Sequence, residues 1–132
     1  MLRGFATVSY YAADLDAASA WYSEVLGIEP YFERPGYVEF RVGDYGHELG
    51  IIDARYRPTT PDQPGGEVIH WHVDDLQGTY ERLIELGATS FQAPIEHGPG
   101  FVTAGVVDPF GNVLGVMYNQ HYLDVLGEGA HR

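Results

Sequence analysis

The sequence predicts an α+β fold built from two tandem βαβββ modules, and three observations carry that prediction. "ATVSYYAADLDAASAWYSEVLG" can be laid over "EVIHWHVDDLQGTYERLIELG" so that "AADL" (12–15) meets "VDDL" (73–76), the mark of a repeated supersecondary unit. In each half a strand-like run, an Asp-Leu pair, an amphipathic stretch and a Leu-Gly stop follow in the same order. After each stop come three short strand-like runs punctuated by Gly, Pro and Asp turns.

Each element has its own local reason. Tyr10 and Tyr11 are neighbours on the first strand and must point to opposite faces, so one packs on the helix and the other faces away from it. Asp14 opens the first helix, its carboxylate placed to accept from the unpaired first-turn amides. Ala18, Trp21, Tyr22, Val25 and Leu26 then form one apolar stripe, and Gly27 stops the helix at a left-handed cap. The runs "EPYFER", "YVEFRV" and "HELGIID" follow, broken at "PG" and "GDYG". "ARYRPTTPDQPGG" (54–66), with Pro58, Pro61 and Pro64, reads as the connection between halves. The second half repeats the plan. Asp75 is the cap, Leu76, Tyr80, Leu83 and Leu86 the stripe, and Gly87 the left-handed stop. Its strands are "ATSFQA", "GFVTAGVV" and "NVLGVMYN", broken at "EHGPG" and "DPFG". The tail "HYLDVLGEGAHR" adds a short amphipathic turn before fraying. The boundaries are module one 1–57, linker 58–65, module two 66–119 and tail 120–132, all within a single domain.

Composition narrows the function classes. A chain of 132 residues is long enough to bury a core without crosslinks, and the absence of cysteine removes disulfides, thiolate metal sites and a cysteine nucleophile. "MLRGFATVSYY" has no apolar run long enough for a signal peptide or membrane span, so the expectation is a soluble cytoplasmic protein with no membrane partner. Nineteen acidic residues against seven basic ones give a net charge of −12, which repels phosphate backbones and argues against nucleic acid. All seven basic residues are arginines. The glycine-rich "GPGF" and "DPFGN" do not precede helices and are turns, and no serine sits in a G-x-S-x-G nucleophile motif.

"AADLDAASAWYSEVLGIEP", "HVDDLQGTYERLIELGA" and "DPFGNVLGV", in that order and at paired-module spacing, resemble the vicinal oxygen chelate superfamily. That superfamily includes glyoxalase I, extradiol dioxygenases and bleomycin resistance proteins. The resemblance covers about residues 5 to 119 and implies a curved mixed sheet around a ligand cup, and a homodimer. In the metal-using members it implies a ligand seven residues before each Asp-Leu aspartate, at Thr7 and Val68 here. It implies a glutamate three residues after the asparagine of the Asp-Pro-x-Gly-Asn turn, at Gly115 here, and another on the fourth strand of module one, for which Glu48 is the candidate.

Val68 and Gly115 have no donor atom, and a threonine hydroxyl is a poor ligand, so the inherited metal site is absent. A relocated divalent-metal site would have to be made from His70, His72 and Glu48. His70 and His72 are i and i+2 on a strand and share a face with Val68. The reading the residues favour is that both imidazoles contact a ligand directly, with no cofactor. His47 points opposite to Glu48, and His97, His121 and His131 carry no case.

The expected cup is lined by Thr7, Ser9 and Tyr11 from one module and His70 and His72 from the other, with Glu48, Gly115 and Met117 completing the wall. The expected function is metal-free sequestration of a small organic molecule, with a cationic aromatic one as the finer expectation, as in bleomycin-type resistance proteins. No arginine falls on those wall positions; Arg41 and Arg55 are the nearest in sequence. The alternative is an enzyme, a lyase, isomerase or dioxygenase. It would use the rearranged metal site, or Glu48 and His70 as metal-free acid and base. A third reading is an interaction protein in which dimerisation matters more than the cup.

Overall fold

In each half of the chain the last strand to be made becomes an interior strand, hydrogen-bonded on both sides. The computed structural model describes residues 1, 3, 5–65 and 68–129. Sequence readings that touch Leu2, Gly4, Gly66, Glu67 and residues 130–132, His131 among them, lie outside the described residues.

The first unit, Met1–Asp62, contains β1 (Val8–Ala12), α1 (Leu15–Leu26), β2 (Phe32–Arg34), β3 (Tyr37–Val42) and β4 (His47–Asp53), then a 3-10 turn at Ala54–Tyr56. Its sheet runs β1-β4-β3-β2, with β1 parallel to β4 and the other pairs antiparallel. The second unit, Gln63–Arg132, contains β5 (His70–His72), α2 (Leu76–Glu85), β6 (Thr89–Gly98), β7 (Phe101–Val107), β8 (Val113–Asn119) and α3 (Gln120–Gly129). Its sheet runs β5-β8-β7-β6 with the same pattern of one parallel and two antiparallel pairs. A parallel pair needs a crossover, and in both units the helix supplies it. These are the two βαβββ modules of an α+β fold. The division between units falls inside the proline-rich connection.

The helix signals act as expected, with one shift. Asp14 accepts from the Ala17 amide and Asp75 from the Gly78 amide, both at 3.0 Å. Gly27 caps α1 in the left-handed region at φ 69°. In α2, however, the cap is Leu86 at φ −79°, and Gly87 follows it at φ 107°. Here the left-handed residue follows the cap, a common way to end a helix.

Alternation sorts the strands cleanly. In the first unit Tyr10, Ala12, Val38, Phe40, Val42, Leu49 and Ile51 are buried on one face, with Ala18 and Tyr22 of α1. Tyr10 meets Tyr22 with ring centroids 6.0 Å apart, while Tyr11 lies on the other face. Ala104, Val106, Leu114 and Val116 do the same in the second unit with Leu76 and Leu83 of α2.

Two readings of the second half change. β6 does not stop at residue 93 but continues to Gly98, through three register shifts against β7. Such irregularities interrupt alternation, which is why the run looked finished. The tail is a ten-residue helix, not a short turn. It starts where the Gln120 amide donates to the Gly100 carbonyl at 3.0 Å, with Gln120 Cβ 3.1 Å from where a Gly100 β-carbon would stand.

The "DPFGN" turn fixes the β7–β8 hairpin. Asp108 is 3% exposed and accepts from the amides of Phe110 (2.9 Å) and Asn112 (2.8 Å) and from the Asn112 side chain (2.9 Å). Asp108→Ala should therefore cost about 1.5–3 kcal/mol, because it strands donors that were bonded to a charged group. Asp14→Ala and Asp75→Ala should each cost only about 1 kcal/mol as exposed caps. Urea denaturation of the three variants checks the ranking; a cap variant less stable than Asp108→Ala would refute it.

Candidate functional site

The face of the first sheet opposite α1 is polar, and the register lays it out in rows. Tyr11, Ile52, Tyr37 and Arg34 make one row, and Ser9, Gly50, Glu39 and Phe32 the next. Glu48 and Arg41 lie opposite each other in the third, towards which Thr7 leads on the same alternation as Ser9 and Tyr11. Gly50 has no side chain because Tyr37 needs its space: a β-carbon there would stand 2.7 Å from the phenol oxygen. The Tyr37 hydroxyl donates to Glu39 at 3.0 Å. Arg41 sits over the Tyr31 ring at 4.5 Å, with Nε 3.6 Å from Glu39 and Nη2 4.0 Å from Glu48. Arg57 lies over the Tyr11 ring at 4.9 Å.

Glu48 is therefore not an unanswered carboxylate, as the sequence reading had it. Arg41 shares its face, and Arg34 and Arg57 belong to the same surface. Tyr37, Glu39 and Arg41 were missed as a group, although "YVEFRV" carried the signal: its apolar residues 38, 40 and 42 leave 37, 39 and 41 together on the other face. Burial and the neighbouring carboxylates act together on Tyr37. Desolvation, then the bond to Glu39, then the charges of Glu39 and Glu48 push its phenol up to about 12.

The second sheet has a different character. Opposite α2, His70 pairs with Gly115 and His72 with Met117, so the expected alternation holds and all four share a face. The two histidines nevertheless play different parts. His70 is exposed, and its ring sits over Gly115, Cδ2 lying 2.8 Å from where a β-carbon would be. Neither of its ring nitrogens is hydrogen-bonded among the described residues.

His72 is not open polar lining. Its side chain is 7% exposed, stacked on Tyr122 of α3 at 4.7 Å and 9°, with Tyr118 at 5.4 Å. The Asn119 amide donates to its Nδ1 at 3.2 Å, which leaves the proton on Nε2, directed at Asp74 3.3 Å away. The tail helix that covers His72 lies about fifty residues on, and no local pattern announces it. His97 has a partner as well, Thr103 Oγ1 at 2.8 Å, and His47 is exposed beside Tyr45.

The donor set does not fit a divalent metal. Ser9 and His70 stand at the same distance ahead of Asp14 and Asp75, and they pair with Gly50 and Gly115 respectively. The position on β4 equivalent to Gly115 is thus Gly50, while Glu48 is equivalent to Val113. Thr7, Gly50, Val68 and Gly115 offer one neutral hydroxyl among them. The relocated set fares no better, since both His72 nitrogens are engaged within its own unit. Among the described residues no group of three or more His, Asp or Glu side chains is placed to hold a metal ion.

The family model described as the Glyoxalase/Bleomycin resistance protein/Dioxygenase superfamily matches residues 4–116. No curated protein matches the chain. Among solved structures, a glyoxalase-related enzyme from Fulvimarina pelagi is 20% identical with a TM-score of 0.73, covering 90% of each chain. The bleomycin resistance determinant encoded on transposon Tn5 is 24% identical with a TM-score of 0.64, covering 89% of this chain and 98% of its own. Lactoylglutathione lyase from Agrobacterium tumefaciens is 24% identical with a TM-score of 0.65, covering 88% of this chain and 93% of its own. At these identities the three structures speak to fold.

The raised Tyr37 pKa has a measurable consequence. The unfolded phenol has the ordinary value of 10.0, and the folded one is pushed up to about 12. Between those values the folded state holds the extra proton, so this contribution is complete below the unfolded value and is lost as pH rises through the folded one. Tyr37→Phe should flatten the alkaline fall in stability over that window, measured by denaturation at a series of pH values. Glu39→Gln should lower the Tyr37 pKa in an NMR titration of ring-labelled tyrosine; an unchanged value would show that the pairing is not formed.

Proposed function

The chain belongs to the Glyoxalase/Bleomycin resistance protein/Dioxygenase superfamily, and from that premise we propose that it binds and sequesters a small organic molecule without a metal. The observation that carries this reading is the donor chemistry at Thr7, Gly50, Val68 and Gly115. Three of the four have no side-chain donor, and rings occupy the space beside two of them. A member that binds without a metal needs shape, hydrogen-bonding groups and aromatic surface, and each sheet offers these on the face opposite its crossover helix. The structural likeness to a bleomycin resistance determinant is consistent with sequestration. A cationic aromatic ligand is the finer reading. Its support is the net charge of −12, although Arg41, Arg34 and Arg57 weaken it for the first module.

One observation favours a second reading, a metal-free lyase, isomerase or dioxygenase. The His70 imidazole is exposed with both nitrogens free and is chemically able to take a proton from a substrate. Activity on 2-oxoaldehyde–thiol adducts or catechols, lost in His70→Ala, would establish it in place of sequestration.

Two measurements test the binding reading. After extensive dialysis, elemental analysis should find no stoichiometric divalent metal; one metal per chain, lost on His70→Ala and on Glu48→Gln, would overturn the metal-free proposal. A homodimer is proposed as the working unit, because each sheet ends in edge strands whose open backbone groups favour association. Light scattering at micromolar concentration should return twice the mass of 14.6 kDa, and a monomer there would count against it.

A further inference from the structure

We propose that His70 and Phe91, each seated over a strand glycine on the face of the second module opposite α2, form a stacking platform for a planar organic cation. This rests on the binding reading above and adds the ligand class and the place that holds it.

The platform begins with two glycines. Gly105 and Gly115 are directly opposite each other in the β7–β8 pair, and His70 is the next partner of Gly115 on β5. Glycine weakens a strand interior, so two of them facing each other call for a reason. The reason is what lies above them. A β-carbon on Gly115 would stand 2.8 Å from His70 Cδ2 and 3.1 Å from its Cγ, and one on Gly105 would stand 3.4 Å from Phe91 Cδ2. Both rings rest against backbone on the same face of the sheet.

Neither ring is buried by doing so. Phe91 is 49% exposed, His70 is exposed, and Ile95, which pairs with Thr103 two residues from Gly105 on β7, adds 41% exposed apolar surface. The imidazole nitrogens have no partner among the described residues, in contrast to His72, whose two nitrogens and ring face are all taken. An open ring beside an uncommitted imidazole offers both a π-face and an in-plane hydrogen bond.

Charge selects the sign of the ligand. The second unit carries nine acidic side chains and two arginines. Of these two, Arg82 belongs to α2, on the far side of the sheet, where it faces Glu85 at 3.9 Å. No other arginine of this unit is among the described residues, and the chain has no lysine. The platform thus lies in a negative module with no arginine on that face among the described residues, and a flat cation gains from the field and from the ring faces together.

The test compares N-methylisoquinolinium with N,N-dimethyldecahydroisoquinolinium, equal in charge, similar in size, and flat only in the first. NMR titrations of the whole chain should give roughly 3- to 10-fold tighter binding of the flat cation, the increment expected for one aromatic pair. Ring-current shifts should fall on the His70 and Phe91 side chains. Phe91→Leu and His70→Leu, which keep apolar volume, should each remove most of the preference, and Gly115→Ala should reduce it by pushing the imidazole from its seat. If the two probes bind equally, or not at all, while a thermal-shift set of cationic, neutral and anionic aromatics gives hits, the platform is wrong and the binding reading stands. If that set gives no hit either, both fall.

Discussion

The strand that closes each module, β4 or β8, is the constraint on which the rest of the structure depends. It is hydrogen-bonded on one side to a parallel partner and on the other to an antiparallel one, so its register is held from both sides. Leu49 and Ile51, or Leu114 and Val116, then have to enter the helix-covered core. Gly50 and Gly115 consequently fall on the opposite face, midway along their strands. A slip of one residue would bury the glycines and expose the core leucines, so the two faces are chosen by a single decision. The Asp108 turn defends that decision in the second module by holding the β7–β8 hairpin that sets Gly105 against Gly115.

This dependence explains what could be read from the residues and what could not. Period-two and period-3.6 patterns, the caps at Asp14 and Asp75, and the split between Tyr10 and Tyr11 are local consequences of backbone geometry and were legible. So was the sharing of one face by His70, His72, Gly115 and Met117. The fate of each histidine was not, because burial comes from contacts distant in sequence. His72 is covered by Tyr122, whereas the His70 ring rests over Gly115 and stays exposed. Phe91 was hidden for a different reason: the register shifts of β6 scramble the alternation that would have assigned it a face. Glu48 was overvalued because its position on β4 was judged by residue type before the register was known. Pairing of Ser9 with Gly50 moves the equivalent position two residues on.

Ring and metal donor exclude each other at these positions. A side chain at residue 50 would begin 2.7 Å from the Tyr37 oxygen and one at residue 115 would begin 2.8 Å from the His70 ring, both too close for a β-carbon. A carboxylate ligand cannot be restored there while the ring keeps its place, and a ring cannot take that place while a carboxylate occupies it. The two modules have resolved the choice in the same direction, with a phenol over one glycine and an imidazole over the other. The consequences differ chemically. Tyr37 spends its hydroxyl on Glu39, which in turn faces Arg41, so the first face is occupied with its own pairings. His70 has made no such commitment.

That difference outweighs the overall charge of the chain. At physiological ionic strength a charge is screened within about 8 Å, so a ligand senses the groups beside it more than the sum over the molecule. On the first face three arginines, Arg34, Arg41 and Arg57, stand against two carboxylates, Glu39 and Glu48, and Arg41 lies 3.6 Å from the first carboxylate and 4.0 Å from the second. A ligand there would have to break pairings to make new ones, and an ion of either sign would meet repelling as well as attracting groups. On the second face the His70 imidazole has no hydrogen bond to give up among the described residues. On the proposed binding reading, selectivity for charge, shape and hydrogen bonding would be exerted there, by the residues nearest the glycine pair. On the proposed reading, the negative excess of the chain would therefore act on a ligand chiefly through the second module, which has no arginine on that face among the described residues.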